Sequence, residues 1–187
     1  MTKSQVIFGV GRGNYSFDSL YVRAVERETD IRSLPGAPEC IIGLALLRGE
    51  LVPVCDLNKK FNTGNPTPAD ADVIFVNTSD GCLGCTVDRV VEIGAITEDL
   101  ELELPYLVRN ESTEYVAEIV TYKGDLITAI DQDNLLNDRE KASLEKLLNK
   151  EKQKAEKKAA KEAEKAAKEA AEKAAKEAEN TANGENA

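Results

Sequence analysis

Up to about residue 130 the apolar runs are short, β-like and stopped by Gly, Pro, Asn or Asp. That pattern excludes long amphipathic helices there and predicts closely spaced strands. "QVIFGV" leads into a "GRGN" hairpin turn and then "YSFDSLYV", where Tyr15 and Phe17 alternate with polar residues. "LPGAP" punctuates residues 34–38, the apolar "IIGLALLRGELVPV" follows, and "DLNKKF" predicts a single helical turn. The polar "NTGNPTPADAD" (62–72) predicts a junction between subdomains or a long hairpin loop. "VIFV", "CLGCTVDRVVEI", "EYVAEIVTYKG" and "DLITAI" supply further strands. Short strands at this spacing predict small barrels or a sandwich.

After Asp138 the composition changes abruptly. Residues 139–179 are almost entirely Ala, Lys and Glu, in a degenerate repeat that includes "EKAAKEAA" and "EKAAKEAE". These are strong helix formers, and Glu–Lys pairs at helical spacing reinforce them. Beyond Lys150 no Leu or Ile fills a seam, so a solvated single helix is expected rather than a coiled coil. The predicted organisation is a β domain over 1–138 and a helical, low-complexity tail over 139–187 whose end is disordered.

Charge and composition exclude several functions. The chain has no histidine, which removes the usual general base and the commonest metal ligand. Residues 1–139 hold 12 Lys and Arg against 23 Asp and Glu, and that acidic field disfavours nucleic-acid binding. "MTKSQVIFGV" does not read as a secretory signal, and no run approaches the length of a membrane span. A cytoplasmic protein with reduced thiols at Cys40, Cys55, Cys82 and Cys85 is the simplest expectation.

The motifs that resemble chemistry mostly fail on their own terms. "GVGRGN" lacks the third glycine of a dinucleotide loop, since Asn14 stands there, and a β-like segment follows in place of a helix. "DQDNLLND" begins like a calcium loop at Asp131 and Asp133 but has neither the sixth-position glycine nor the twelfth-position glutamate. Cys82 and Cys85 form a C-x-x-C, which keeps a thiol-based metal or redox protein as the alternative function; packing is the preferred reading of all four cysteines. No nucleophile is paired with a base, so an enzyme is disfavoured and neither cofactor nor metal is expected.

Arg48 is the oddity of the apolar stretch at 41–54. Burying an unpaired guanidinium would cost several kcal/mol, so Arg48 belongs outside the core. Gly49 beside it can adopt the positive φ of a tight hairpin, placing both at a tip between "LALL" and "LVPV". The residues leave two readings open: a solvated turn arginine pairing with Glu50 or Asp56, or a partner-binding arginine.

"APECIIGLALLRGELVPVCDL" resembles the signature of the CheW family of chemotaxis coupling proteins, approximately aP-x-x-I-x-G-x-x-x-LRG-x-x-x-P-x-x-DL. The matches are Ala37, Pro38, Ile41, Gly43, Leu47, Arg48, Gly49, Pro53, Asp56 and Leu57. "YSFDSLYVRAVER", "TVDRVVEI" and "DLITAIDQDNLL" resemble three further family segments, in order. The resemblance covers about residues 5–138 and implies a mainly β fold of two SH3-like five-stranded barrels with short helices. It also implies a non-catalytic adaptor that bridges the cytoplasmic tips of chemoreceptors (methyl-accepting chemotaxis proteins) to the regulatory domain of the histidine kinase CheA, without membrane insertion. By motif, Val22, Gly43, Arg48 and Gly49 fall where the family contacts its partners. Three positions depart from the pattern: Ala24 replaces a usual glutamate, Leu46 an asparagine, and Glu118 a glycine.

Overall fold

The computed structural model describes residues 2–27, 29–97, 101–102, 113–151, 153 and 167. The chain divides into two units, 1–143 and 144–187. In the second, the described residues are helical; most of the Ala/Lys/Glu repeat, and the end expected to be disordered, lie outside the described residues.

The first unit is mainly β. Its strands are β1 (Thr2–Val10), β2 (Gly13–Asp18), β3 (Val22–Arg27), β4 (Ile31–Arg32), β5 (Ile41–Leu47), β6 (Glu50–Asp56), β7 (Asp72–Thr78), β8 (Gly81–Val87), β9 (Arg89–Thr97), β10 (Glu101–Leu102), β11 (Val116–Tyr122) and β12 (Asp125–Ile130). Among the described residues they form two six-stranded sheets, ordered β10-β11-β12-β2-β1-β9 and β3-β7-β8-β6-β5-β4. The expectation was five strands each. The two-residue strands β4 and β10 have no sequence period to announce them.

The sheets are nested. The chain builds β1 and β2 of the first sheet, makes the whole second sheet from β3 to β8, then returns to complete the first. The loop 62–72 is therefore neither a junction between sheets nor a hairpin. It carries the chain from β6 to β7, which lie on opposite sides of β8, with β6 parallel to β8. The real crossings are tight turns at residues 19–21 and at Asp88.

Each crossing has a polar device. At the first, the Asp18 carboxylate accepts from Leu20 N–H at 2.9 Å, and Tyr21 N–H donates to the Asp18 carbonyl at 3.1 Å. At the second, Asp88 accepts from Gly11 N–H at 2.7 Å and from Asn58 Nδ2 at 2.6 Å, while its own N–H donates to the Gly9 carbonyl. Asn58 lies in α1 (Leu57–Lys60), whose N-cap is the buried Asp56; Asp56 accepts from Asn58 N–H at 2.9 Å and from Thr67 Oγ1 at 2.7 Å. Capping a helix start this way satisfies donors that would otherwise be orphaned in the interior. A row of rings, Phe17–Phe8–Tyr15–Phe61–Tyr115, continues the joint between the sheets.

Strand alternation divides the core. Ala45, Leu47, Val52, Val54, Val73 and Phe75 fill one face of the second sheet, with Ala24 and Ile31 from its two edges packed on them. Ile7, Ile96, Val120 and Ile127 fill the corresponding face of the first.

Residues 138–143 close the unit as the opening of a helix. Asn137 Oδ1 accepts from Glu140 N–H, and Glu140 Oε2 accepts from Asn137 N–H, both at 2.9 Å. That reciprocal capping box marks the helix start. Glu140 also binds Lys60 Nζ at 2.5 Å.

Candidate partner-binding face

The β5–β6 hairpin pairs Leu47 opposite Glu50 around a two-residue turn of Arg48 and Gly49. Both take positive φ, 51° and 88°. Two left-handed residues match the twist of the flanking strands, which is why such turns favour Asn-Gly and Gly-Gly. An arginine in the first position is strained by about 1 kcal/mol. The β11–β12 hairpin repeats the geometry with Lys123 (53°) and Gly124 (92°). There the cation has partners: Lys123 Nζ binds both oxygens of Glu92 at 2.7 Å and lies 5.0 Å from the Tyr122 ring centroid.

Arg48 has no such anchor. It is exposed, and among the described residues no ion pair or hydrogen bond holds its guanidinium. Both partners expected of it are engaged elsewhere. Glu50 Oε2 accepts from Arg23 Nη1 at 2.7 Å, and Asp56 caps α1. Arg23 stands on β3 directly after Val22, so this ion pair links the half-buried Val22 segment to the hairpin tip.

Gly43 has a different task. It is buried in β5, and a Cβ there would lie 2.2 Å from the Arg32 carbonyl oxygen of β4. Its glycine is what lets β4 pair with β5. Gly49, in contrast, has open space around it and supplies only its backbone conformation.

Two apolar side chains flank the tip. Leu46 and Leu51 face each other across the hairpin and point outward, 63% and 51% exposed. Leu51 and the Arg23–Glu50 pair escaped the sequence reading. The first was recoverable: a two-residue turn with Leu47 and Val52 in the core forces the Leu46–Leu51 pair onto the opposite face. Nothing local pairs Arg23 with Glu50.

The C-x-x-C does not form a site. Cys82 and Cys85 are three residues apart on β8 and project to opposite faces. Cys82 packs against the core cluster of the second sheet, beside Arg23. Cys85 pairs in register with Cys55 on β6, on the other face. Burial pushes the Cys85 thiol far above its ordinary range and also raises Cys82, where Arg23 only partly opposes it. Protonated thiols on opposite faces suit neither a metal nor a dithiol exchange centre. Among the described residues no cluster of three or more Cys, Asp or Glu is arranged to hold a metal, and no helix is long and apolar enough to cross a membrane.

The sequence pattern of the CheW-like domain matches residues 4–140. The chain belongs to the CheW family. The chemotaxis protein CheW of Treponema pallidum is 26% identical over 149 residues, 77% of this chain and 86% of that protein. The chemotaxis protein CheW of Klebsiella aerogenes is 27% identical over 138 residues, 73% and 83% of the two chains. Among solved structures, the scaffolding protein TtCheW from Thermoanaerobacter tengcongensis superposes with a TM-score of 0.68 at 30% identity, covering 75% of this chain and 96% of that one. Family membership makes this chain a chemotaxis scaffold and accounts for the Asp56–Leu57 and Val87–Asp88 motifs as the N-cap of α1 and the crossing between sheets.

Proposed function

We propose that this chain is a non-catalytic, cytoplasmic adaptor that couples the signalling tips of chemoreceptors to the regulatory domain of CheA. The surface that does so is the tip of the β5–β6 hairpin together with the start of β3. The observation that carries this reading is Arg48: a strained, exposed, unpaired arginine between outward-facing Leu46 and Leu51, where its Lys123 counterpart is tied down. Strain that the fold does not require marks a residue kept for a task, and an arginine beside apolar side chains has the composition of an interface hot spot. Val22 and Gly49 belong to this surface. Gly43 acts on it from behind, by keeping β4 paired.

We further infer that each sheet closes into an SH3-like barrel. Support for the second comes from its two edges, since Ala24 and Ile31 pack on one core and Arg23 reaches Glu50 across the sheet. The Ala/Lys/Glu repeat beyond the capped helix start at Asn137 acts as a solvated helical spacer.

One preparation of the full chain should capture both a receptor signalling tip and the CheA regulatory domain. Capture of neither, by protein with a normal melting transition, defeats the coupling reading.

A further inference from the structure

Three of the four cysteines converge behind the hairpin. Cys40 immediately precedes β5, and Cys55 sits in β6 opposite Ile41, so the two thiols flank the open end of the hairpin whose tip is Arg48. The Asp56 N–H donates to the Cys40 carbonyl at 2.7 Å and holds the two segments together. The Cys40 thiol neighbours the Cys55 thiol, and neither is in a disulfide. Cys55 is fully buried; Cys40 is nearly so but forms part of the wall of an open cleft with Lys60, Tyr115, Asn137 and Glu140. Glu140 Oε1 accepts from the Cys40 thiol at 3.4 Å.

We propose that Cys40 and Cys55 are a redox pair, oxidised by a hydroperoxide entering the cleft to a disulfide that ties the base of the β5–β6 hairpin. Cys40 is the sulfur such an oxidant meets first. It attacks the terminal peroxide oxygen, the O–O bond breaks, and the alcohol leaves with the thiol proton, leaving a sulfenic acid. The Cys55 sulfur then displaces the hydroxyl as water, which carries off the Cys55 proton as the S–S bond forms. Two thiols supply the two electrons that reduce one hydroperoxide to an alcohol and water. The neighbouring Cys40 thiol and burial raise the Cys55 thiol well above its ordinary range, which slows the second step. Closing the loop constrains the unfolded chain and removes the Cys40 donor from Glu140.

The test treats the reduced full-length protein with tert-butyl hydroperoxide, alkylates the remaining thiols after denaturation, and maps linked peptides by mass spectrometry. The expected product links Cys40 to Cys55, leaves Cys82 alkylated, and melts several degrees higher than the reduced protein. In Cys55→Ser, Cys40 should stop at the sulfenic acid and be trapped by dimedone; if that variant does not fold, the map of the unaltered chain decides. Cys40 over-oxidised to a sulfinic acid with Cys55 still free, a Cys55–Cys85 bond in its place, or an unreacted Cys40 overturns the proposal.

Discussion

At the residue scale, a left-handed backbone separates structure from task. Arg48→Ala should weaken capture of a partner by about 2 kcal/mol while stability changes by less than about 0.5. Arg48→Gly sharpens the test, because glycine relieves the strain at φ 51°. It should bind as poorly as the alanine variant without melting lower. Titration of each variant against the CheA regulatory domain, beside a denaturant curve, checks both; binding that falls only in step with stability makes Arg48 structural. The Arg23–Glu50 pair is exposed enough to matter little for stability. It should matter for the spacing of Val22 and the tip. Arg23→Glu and Glu50→Arg should each lower partner affinity, and the double exchange should recover part of the loss. Additive losses in that cycle would remove the pair from the binding surface.

At the element scale, the second sheet depends on how closely β4 approaches β5. Gly43→Ala puts a methyl group within 2.2 Å of a carbonyl oxygen that cannot rotate away. Overpacking of this kind costs about 1–3 kcal/mol, and here it should also unpair β4. Urea denaturation gives the first effect, and faster amide exchange at Leu44, opposite Arg32, gives the second. The helix start at Asn137 has its own signature in pH. Burial tends to raise the Glu140 carboxyl, but the Lys60 and Asn137 hydrogen bonds outweigh it and hold it below the ordinary glutamate value. A depressed carboxyl contributes fully above its unfolded value of about 4.3 and loses that contribution as pH falls through the folded value. Between pH 6 and pH 3 the unaltered protein should therefore lose more stability than Glu140→Gln. Equal acid sensitivity of the two would mean the carboxylate contributes nothing.

At the scale of the whole molecule, nesting ties the two sheets into one compact unit. The second sheet is inserted between β2 and β9, and the Asp88–Asn58–Gly11 network and the ring row span the joint. The tail stands apart in composition, its alanines offering little area to bury. Truncation after Lys150 should leave the melting temperature nearly unchanged. Truncation after Asp138 should lower it, because it removes Glu140, the partner of Lys60 and Cys40, and Lys141, the partner of Asp80. Calorimetry of the two truncated chains decides, and a tail-dependent transition in the longer one would contradict the spacer reading.

What the sequence determined by itself was local. Alternation and turn chemistry placed one hairpin turn within "GRGN" and a hairpin tip at Arg48-Gly49, and the Asp-Leu start of α1 was readable as a single helical turn. These depend on backbone preferences of residues a few positions apart, which the chain carries wherever it folds. Tertiary structure alone decided which distant strands meet. The parallel pairings β6–β8 and β12–β2, the division of "CLGCTVDRVVEI" between two sheets at Asp88, and the separation of Cys82 from Cys85 all arise there. So does the choice of Arg23 over Arg48 as the partner of Glu50. A strand's period records which of its faces is buried but not what lies against that face, so Cys40, Cys55 and Cys85, scattered along the chain, become neighbours only in the folded protein.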